Sequence, residues 1–229
     1  MAKNALVVGA GDGISASFAR ALARDGFKVG LVARRTDKLA ALREEVGGAV
    51  FACDAANPDQ VAHLFEEVDD QLGRLDVVHY NASYRTRGPL IDLDPAEVEK
   101  SLMVSAFGGF LVAQQAARRM LRQGSGAILF TGASASVKGY ARSASFAMGK
   151  LALRGLAQSM ARELAPKNIH VAHFVIDGGV RAADRPEPAD RPDSMLDPDA
   201  IAQTYTWVLK QPRSAWTWEV ELRPWVETF

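Results

Sequence analysis

Three alternating glycines, Gly9, Gly11 and Gly13, lie between a short apolar run and an amphipathic helical pattern. Glycines let the backbone turn tightly and approach a pyrophosphate. The helix that follows offers free N–H groups and the positive end of its dipole to an anion. This pattern is moderately specific for a dinucleotide when it opens a strand–helix–strand unit; otherwise it is an ordinary turn. The segment predicts a cofactor site made by the three glycines, Asp12 and Ile14.

The end of the second predicted strand, Ala33-Arg34-Arg35, indicates which dinucleotide is bound. NAD sites place a carboxylate about 20 residues past the glycines to bind the ribose 2′-hydroxyl. This chain has no carboxylate there, and guanidinium groups suit phosphate oxygens well. Asp12 opposes this interpretation, since it could repel a 2′-phosphate or pair with Arg34. We predict NADP as the cofactor, bound through Arg34, and keep NAD as the alternative.

A sheet must position these residues, and the sequence predicts one. Short apolar runs alternate along the chain with amphipathic helical patterns. Continuous apolar runs indicate strands covered on both faces, and strand–helix alternation indicates right-handed crossovers in a parallel sheet. Strands are predicted at 5–8, 28–33, 49–52, 76–80, 127–131, 170–176 and 217–222. Helices are predicted at 13–25, 36–46, 58–72, 95–101, 103–122, 143–165 and 198–210. The sequence thus predicts an α/β fold with a Rossmann-type, doubly wound, seven-stranded parallel sheet, forming a single domain over residues 1–229.

The composition narrows the kinds of partner. The chain has 27 basic and 27 acidic residues, so it lacks the basic surplus that nucleic-acid binding usually needs. No apolar stretch approaches the ~20 residues of a membrane span. Cys53 is the single cysteine, and no His/Cys cluster predicts a metal site. We expect a cytoplasmic protein with a small-molecule substrate, no metal, and no nucleic-acid or membrane partner.

Residues 181–199 interrupt the alternation of strands and helices. Pro, Asp and Arg dominate this segment, so no packed element is predicted there. It follows a strand end, where open α/β sheets bind their ligands. We interpret it as a candidate substrate lid, with a plain surface loop as the alternative.

Four motifs at predicted strand ends together resemble the short-chain dehydrogenase/reductase superfamily. The glycine turn is similar to the TGxxxGxG cofactor signature, with Val8 at its threonine and Ser15 at its last glycine. The other similarities are of Cys53-Asp54-Ala55 to the acidic residue after strand three, Tyr80-Asn81-Ala82-Ser83 to the NNAG motif, and Asp177-Gly178-Gly179-Val180 to the PG motif. The resemblance implies cofactor contacts by Asp54, Ala55, Asn81, Ala82 and Gly178.

The family's reaction depends on a Tyr-x-x-x-Lys pair, and only the lysine is present. The resemblance implies that Lys150 binds the nicotinamide ribose, whereas Phe146 occupies the tyrosine position. Phenylalanine has no exchangeable proton. Spacing of four residues still places both side chains on one helical face. The resemblance is closest to a divergent subgroup that has Phe for Tyr and keeps the lysine.

The family's other two catalytic positions are altered as well. Its serine position aligns with Ala133, next to Ser134, and its asparagine position aligns with Ser105. A substitute proton donor would have to be another hydroxyl group near the strand ends. The candidates are Tyr140, Tyr84, Tyr80, Ser134 and Ser136. We predict a catalytic set of Lys150, Phe146, Ser134, Ser105 and Tyr140.

Two classes of function fit these residues. The first is an atypical NAD(P)-dependent oxidoreductase that transfers hydride between NADPH and a small carbonyl, imine or activated alkene. The second is a non-catalytic NADP-binding protein with a regulatory, heteromeric-partner or structural role. Phe146 favours the second class, whereas Lys150 and the candidate lid favour the first.

The resemblance also implies a homodimer or homotetramer, formed through helices 103–122 and 143–165. The small residues expected at that contact are Ala144, Ala147, Ala152 and Gly155. Four tryptophans near the C-terminus offer a second contact: Trp207, Trp216, Trp218 and Trp225.

Overall fold

Seven apolar segments form strands, and a computed structural model, which describes residues 3–228, joins them in one parallel sheet. The strands are β1 (Lys3–Val8), β2 (Phe27–Ala33), β3 (Ala49–Ala52), β4 (Val77–Tyr80), β5 (Gly126–Thr131), β6 (Ile169–Ile176) and β7 (Glu219–Leu222). Their order is β3-β2-β1-β4-β5-β6-β7. The order changes direction between β1 and β4, which is where such sheets bind ligands. The predicted seven-stranded, doubly wound parallel sheet is confirmed.

Helices cover both faces of the sheet, and each face has its own apolar core. One face carries α1 (Ile14–Arg24), α2 (Ala40–Val46) and α7 (Pro198–Leu209). The other carries α3 (Pro58–Gln71), α5 (Gly108–Gln123) and α6 (Ala144–Leu164), with α4 (Pro95–Leu102) packed against α6. No helix within residues 3–228 is both long enough and apolar enough to span a membrane.

Three of these helices begin with the same local signal. Asn57, Asp94 and Asp197 each precede a proline, and each side chain accepts a hydrogen bond from a backbone N–H in the first turn. Proline at the first helical position sacrifices no intrahelical hydrogen bond, and its fixed φ suits the helix. The cap satisfies one of the free N–H groups of the first turn. The sequence therefore sets the start of α3, α4 and α7 locally.

The main difference from the predicted elements lies between α4 and α5. The sequence predicts two helices, but they are joined without a break by a π-helical turn, Met103–Phe107. Such turns insert an extra residue into a helix and occur often at functional sites. The predicted helix 36–46 is also divided, into a 3-10 turn at Asp37–Leu39 followed by α2.

Candidate functional site

The glycine turn joins β1 to α1 at the carboxyl edge of the sheet. Gly9 has a φ of 82°, and a Cβ atom there would lie 2.4 Å from the backbone nitrogen of Ala82. Gly9 must therefore be glycine, because both its conformation and its contact with the end of β4 exclude a side chain. A Cβ atom at Gly11 would meet nothing within 4 Å. The N-terminus of α1 thus faces open space, as a phosphate-binding turn requires.

Ser15 braces this turn from below. Its hydroxyl lies 3.2 Å from the carbonyl oxygens of Gly9 and Gly11, and the Gly11 N–H donates to it at 3.2 Å. The side chain is buried under the turn. It fills the position of the signature's last glycine without occupying the space above Gly11.

A first cleft of about 640 Å³ lies at the carboxyl edge of the sheet, beside the glycine turn. Arg34 and Arg35 are exposed on its wall, and neither forms an ion pair with the residues described. Asp12 also lines this cleft, but within residues 3–228 it makes no ion pair with Arg34. Positive side chains without partners at the end of β2 suit a phosphate group. The predicted residues that line the first cleft are Gly9, Gly11, Asp12, Arg34, Asp54, Ala55, Asn81 and Ala82.

A second cleft of about 640 Å³ opens on the other side of Asp12 and Asn81, which line both clefts. The amide nitrogen of the Asn81 side chain donates to the carbonyl of Gly9 at 3.4 Å, which ties the end of β4 to the glycine turn. The two clefts therefore form one groove over the ends of β1 and β4. The predicted residues that line the second cleft are Asp12, Gly13, Ile14, Asn81, Ser134, Tyr140, Phe146, Lys150 and Gly178.

Lys150 reaches the floor of the second cleft from α6. Its side chain is only 3% exposed, and its Nζ atom donates to the backbone carbonyl of Thr131 at 2.7 Å. Burial lowers the pKa of Lys150 to about 8. A lysine held this way can change protonation near physiological pH, which an exposed lysine cannot do.

The hydroxyl of Thr131 anchors a buried polar group beneath Lys150. It lies 2.8 Å from Nε2 of His79 and 2.9 Å from the hydroxyl of Tyr205. Burial, with a smaller effect of the Lys150 charge, lowers the pKa of His79 to about 3. His79 is thus neutral near pH 7, and no second positive charge opposes Lys150 from below.

Phe146 is bordered by two cations. Nζ of Lys150 lies 5.8 Å from the centroid of its ring, and Cζ of Arg85 lies 4.6 Å from it. Arg85 also donates from an Nη atom to the hydroxyl of Ser143 at 3.3 Å. The ring can hold these cations by cation–π attraction, but it cannot supply a proton.

Comparison with known proteins agrees with this geometry. A family model described as short chain dehydrogenase matches residues 3–185. The chain belongs to the short chain dehydrogenase family.

Solved members of this oxidoreductase family share the whole fold. A short-chain dehydrogenase from Rhodopseudomonas palustris is 38% identical, with a TM-score of 0.84, over 97% of this chain and 99% of that one. A metagenomic short-chain oxidoreductase in complex with NADP is 31% identical, with a TM-score of 0.85, over 97% of each chain. The 3-oxoacyl-[acyl-carrier-protein] reductase FabG of Staphylococcus aureus (strain Mu50) is 36% identical over 177 residues, 75% of this chain and 72% of that protein.

One predicted catalytic residue of this short chain dehydrogenase lies outside both clefts. Ser105 is fully buried in the π-helical turn, where its hydroxyl donates to the carbonyl of Tyr84 at 3.3 Å and accepts from the Tyr84 N–H at 3.2 Å. A Cβ atom added to Gly149 would lie 2.9 Å from Cβ of Ser105, so α6 packs tightly over it. Ser105 therefore holds the loop after β4 in place, and it lines neither cleft.

The structure also separates the candidate proton donors. Ser134 and Tyr140 line the second cleft, and Tyr140 is 44% exposed. Tyr80 is buried and donates to the carbonyl of Val104, while Tyr84 donates to Glu97. Ser136 is buried and accepts from the backbone N–H of Ala133. Ser134 and Tyr140 remain as the hydroxyl candidates at the site.

The candidate lid has no helix and no regular strand between β6 and α7. It is fastened at its base by hydrogen bonds from the Leu196 N–H to the Gly179 carbonyl and from the Arg181 N–H to the Leu196 carbonyl, at 2.8 and 2.9 Å. The indole N–H of Trp225 donates to the carbonyl of Pro192 at 3.1 Å, so the C-terminal segment also holds it. Arg181 and Arg185 line the second cleft. The segment thus borders the site, whereas its movement stays a prediction.

Among the lining residues of the second cleft that the sequence analysis did not predict are two arginines, Arg85 and Arg87. Both follow the Asn81 motif, in a loop that carries no family signature. The only local signal is the pair of arginines itself, two residues apart, which the balanced charge of the whole chain conceals.

Proposed function

We propose that this short chain dehydrogenase is an NADPH-dependent oxidoreductase that acts on a small carbonyl, imine or activated alkene. The observation that carries the proposal is the continuous groove, with Arg34 at one end and Lys150 at the other. Bound NADPH supplies the hydride in this chemistry. A solved relative that is 31% identical was crystallised in complex with NADP, which supports the same cofactor here.

Different residues of the groove would bind different parts of NADPH. The N–H groups at the start of α1 and the open turn at Gly11 would hold the pyrophosphate. Arg34, with Arg35 beside it, would pair with the 2′-phosphate, and Asp54 and Ala55 would border the adenine. Lys150 would donate to the nicotinamide ribose hydroxyls. NAD stays the alternative, because Asp12 also faces the first cleft.

Proton transfer is the altered step. We infer that the chain belongs to a subgroup in which Phe replaces the tyrosine, so Phe146 shapes the site without donating a proton. Of the hydroxyl groups named from the sequence, Ser134 and Tyr140 line the second cleft and could donate instead. An iminium ion needs no such donor, and an activated alkene can take its proton from water. The reaction therefore favours substrates that depend little on a strong acid.

The second candidate is a non-catalytic NADP-binding protein. The stacking of Arg85 on Phe146 favours it, because the side chain at the family's acid position is engaged by a neighbour and cannot transfer a proton. In that case the groove would bind the cofactor for a regulatory or heteromeric role.

Transfer of deuterium decides between the two functions. NADPH deuterated at C4 on either face is incubated with the protein and a panel of diketones, cyclic iminium ions and enones. We expect deuterium to appear in at least one product, detected by mass spectrometry. NADPH binding without deuterium in any product would reject the oxidoreductase and leave the non-catalytic function.

We also propose that the chain forms a homodimer or homotetramer through α5 and α6. The exposed side of these helices carries Phe110, Met148 and Leu151, beside the small exposed residues Ala152 and Gly155, and Phe107 is exposed in the π-helical turn just before α5. Ala147, expected at that contact from the sequence, is instead buried within the subunit. Light scattering should show a dimer or tetramer at micromolar concentration, and a monomer would contradict this.

The four C-terminal tryptophans, which the sequence suggests as a second contact between subunits, have different surroundings. Trp216 stacks on His170, with ring centroids 4.6 Å apart, and Trp218 lies under Arg154. Trp207 and Trp225 are the exposed members, and Trp225 is engaged with the lid. A second contact between subunits would therefore involve Trp207.

A further inference from the structure

Arg85 is held ready for a ligand in the second cleft. Its guanidinium group lies over the ring of Phe146 and donates a hydrogen bond to the Ser143 hydroxyl at 3.3 Å. Stacking on an aromatic face orients the guanidinium plane and leaves N–H groups on its edges free. Within residues 3–228, no carboxylate forms an ion pair with Arg85.

Arg87 adds a second positive charge next to it. It lines the same cleft and likewise has no ion pair with a described residue. Desolvation, and to a smaller extent the positive charge of Arg87, lowers the pKa of Arg85. Like charges that face a cleft without a counter-ion favour binding of an anion there.

Most other charged groups of the second cleft already have a partner within the protein. Arg181 pairs with Asp197 at 2.6 Å, and Arg185 donates to a backbone carbonyl at 2.9 Å. Asp177 pairs with Lys138 at 3.4 Å. The remaining acids at the cleft are Asp12 and Glu227, and neither is paired with Arg85 or Arg87 in the described part of the chain.

We propose that Arg85 and Arg87 bind the carboxylate of the substrate, and that the substrate class is a short 2-oxo acid or its imino or unsaturated counterpart. The planar fork of an arginine matches the two oxygens of a carboxylate. Cζ of Arg85 lies 4.6 Å from the centroid of the Phe146 ring, so a carboxylate bound by Arg85 would place its adjacent carbon near that ring. This proposal rests on the proposed oxidoreductase function and names its substrate.

A carboxylate next to the reacting carbon would also partly compensate for the absence of a proton donor at position 146. The carboxylate carbon withdraws electron density from an adjacent carbonyl, which then accepts hydride more readily. Hydride from NADPH would convert the carbonyl to an alkoxide, which the guanidinium charge of Arg85 would stabilise until it takes a proton from water. The same residue would thus both select the substrate and reduce the need for a proton donor at position 146.

Calorimetry on the NADP⁺-loaded protein tests the binding without any turnover, because a ketone cannot be reduced by NADP⁺. The probes are 2-oxobutyrate and its methyl ester, which lacks the negative charge of the acid and carries one additional methyl group. The variants are Arg85→Gln, Arg85→Lys and Arg87→Gln. Arg122→Gln is the matched control, since Arg122 is an exposed arginine at the end of α5, on the opposite edge of the sheet.

We expect wild type to bind the acid at least about tenfold more tightly than the ester, the size of one charge-assisted contact. Arg85→Gln should abolish that preference, Arg87→Gln and Arg85→Lys should reduce it, and Arg122→Gln should keep it. Equal affinity of wild type for acid and ester would overturn the proposal. So would an equal loss in Arg122→Gln, or weaker NADP⁺ binding in Arg85→Gln, which would assign Arg85 to the cofactor.

The proposed function can fail separately. If the acid preference depends on Arg85 but no deuterium is transferred to any substrate, the carboxylate site stands and the oxidoreductase assignment falls. If deuterium reaches neutral ketones while the acid preference is absent, the oxidoreductase stands and the carboxylate site falls.

Discussion

The first and second clefts meet at Asp12 and Asn81 and have similar volumes, yet they differ in how their residues are used. The first cleft combines an open glycine turn with arginines that have no ion-pair partner among the described residues. In the second cleft Lys150 is buried and bonded to the main chain of Thr131, and Arg85 lies over the ring of Phe146. The difference teaches that an open turn and a tightly packed site can share one groove, and under the proposed function we expect cofactor binding and proton transfer to be separable.

The largest expected effect comes from restoring the hydroxyl at the second cleft. Phe146→Tyr adds one oxygen near Lys150, whose Nζ lies 5.8 Å from the ring centroid. We expect NADPH oxidation with simple diketones or quinones to rise by up to ~10²–10⁴-fold, the usual contribution of a general acid. The measurement is the loss of NADPH absorbance in wild type and Phe146→Tyr.

Two controls make that result interpretable. Lys150→Ala should weaken NADPH binding, whereas Phe146→Tyr should leave it intact. No gain in Phe146→Tyr despite intact binding would mean that Ala133 and Ser105 limit the reaction as much as Phe146 does. High activity in wild type would mean that another donor already acts, and Tyr140→Phe and Ser134→Ala would then identify it.

Burial of the Lys150 charge should make the free energy of unfolding depend on pH. The pKa of Lys150 is about 8 in the folded state, against about 10.4 for an unfolded lysine. Below pH 8 both states are protonated, so the full cost of burying the charge is present. Between pH 8 and 10 the folded state loses the proton first, so the unfolded state binds more protons and stability rises with pH.

The free energy of unfolding of wild type relative to Lys150→Met should therefore increase by roughly 1–3 kcal/mol between pH 7.5 and 10. Urea denaturation of both proteins without cofactor measures it, with the exposed Lys167→Met as a control. A difference that stays flat over this range would show that Lys150 is neutral or well solvated in the folded state. A difference that falls with pH would reverse the assignment.

The sequence anticipated the first cleft better than the second, for a physical reason. Gly9, Gly11 and Gly13 act through their own backbone, and capping residues such as Asn57 act within one turn, so local patterns reveal them. The position of Arg85 depends on its contact with the ring of Phe146, which lies on α6 and is distant in sequence. A local sequence pattern therefore does not reveal it.

Ser105 is the converse case, a residue that the sequence predicted at the site but that lines neither cleft. Its alignment placed it among the catalytic residues, but it bonds to the main chain of Tyr84 inside the π-helical turn. A π-helical turn depends on tertiary packing and has no simple residue pattern, so the direction of a side chain within it cannot be read from helical spacing.

We propose that the first cleft binds the cofactor as NADPH, whereas the second cleft differs from the family in its proton transfer. Titration of NADPH and NADH into wild type, Arg34→Ala and the exposed control Arg43→Ala by calorimetry tests it most directly. We predict that wild type binds NADPH more tightly than NADH. Arg34→Ala should weaken NADPH alone, by about 1.5–3 kcal/mol for one charge-assisted contact, and Arg43→Ala should change neither. Equal affinities, or tighter binding of NADH, would contradict the claim and identify Asp12 as the residue that decides cofactor choice.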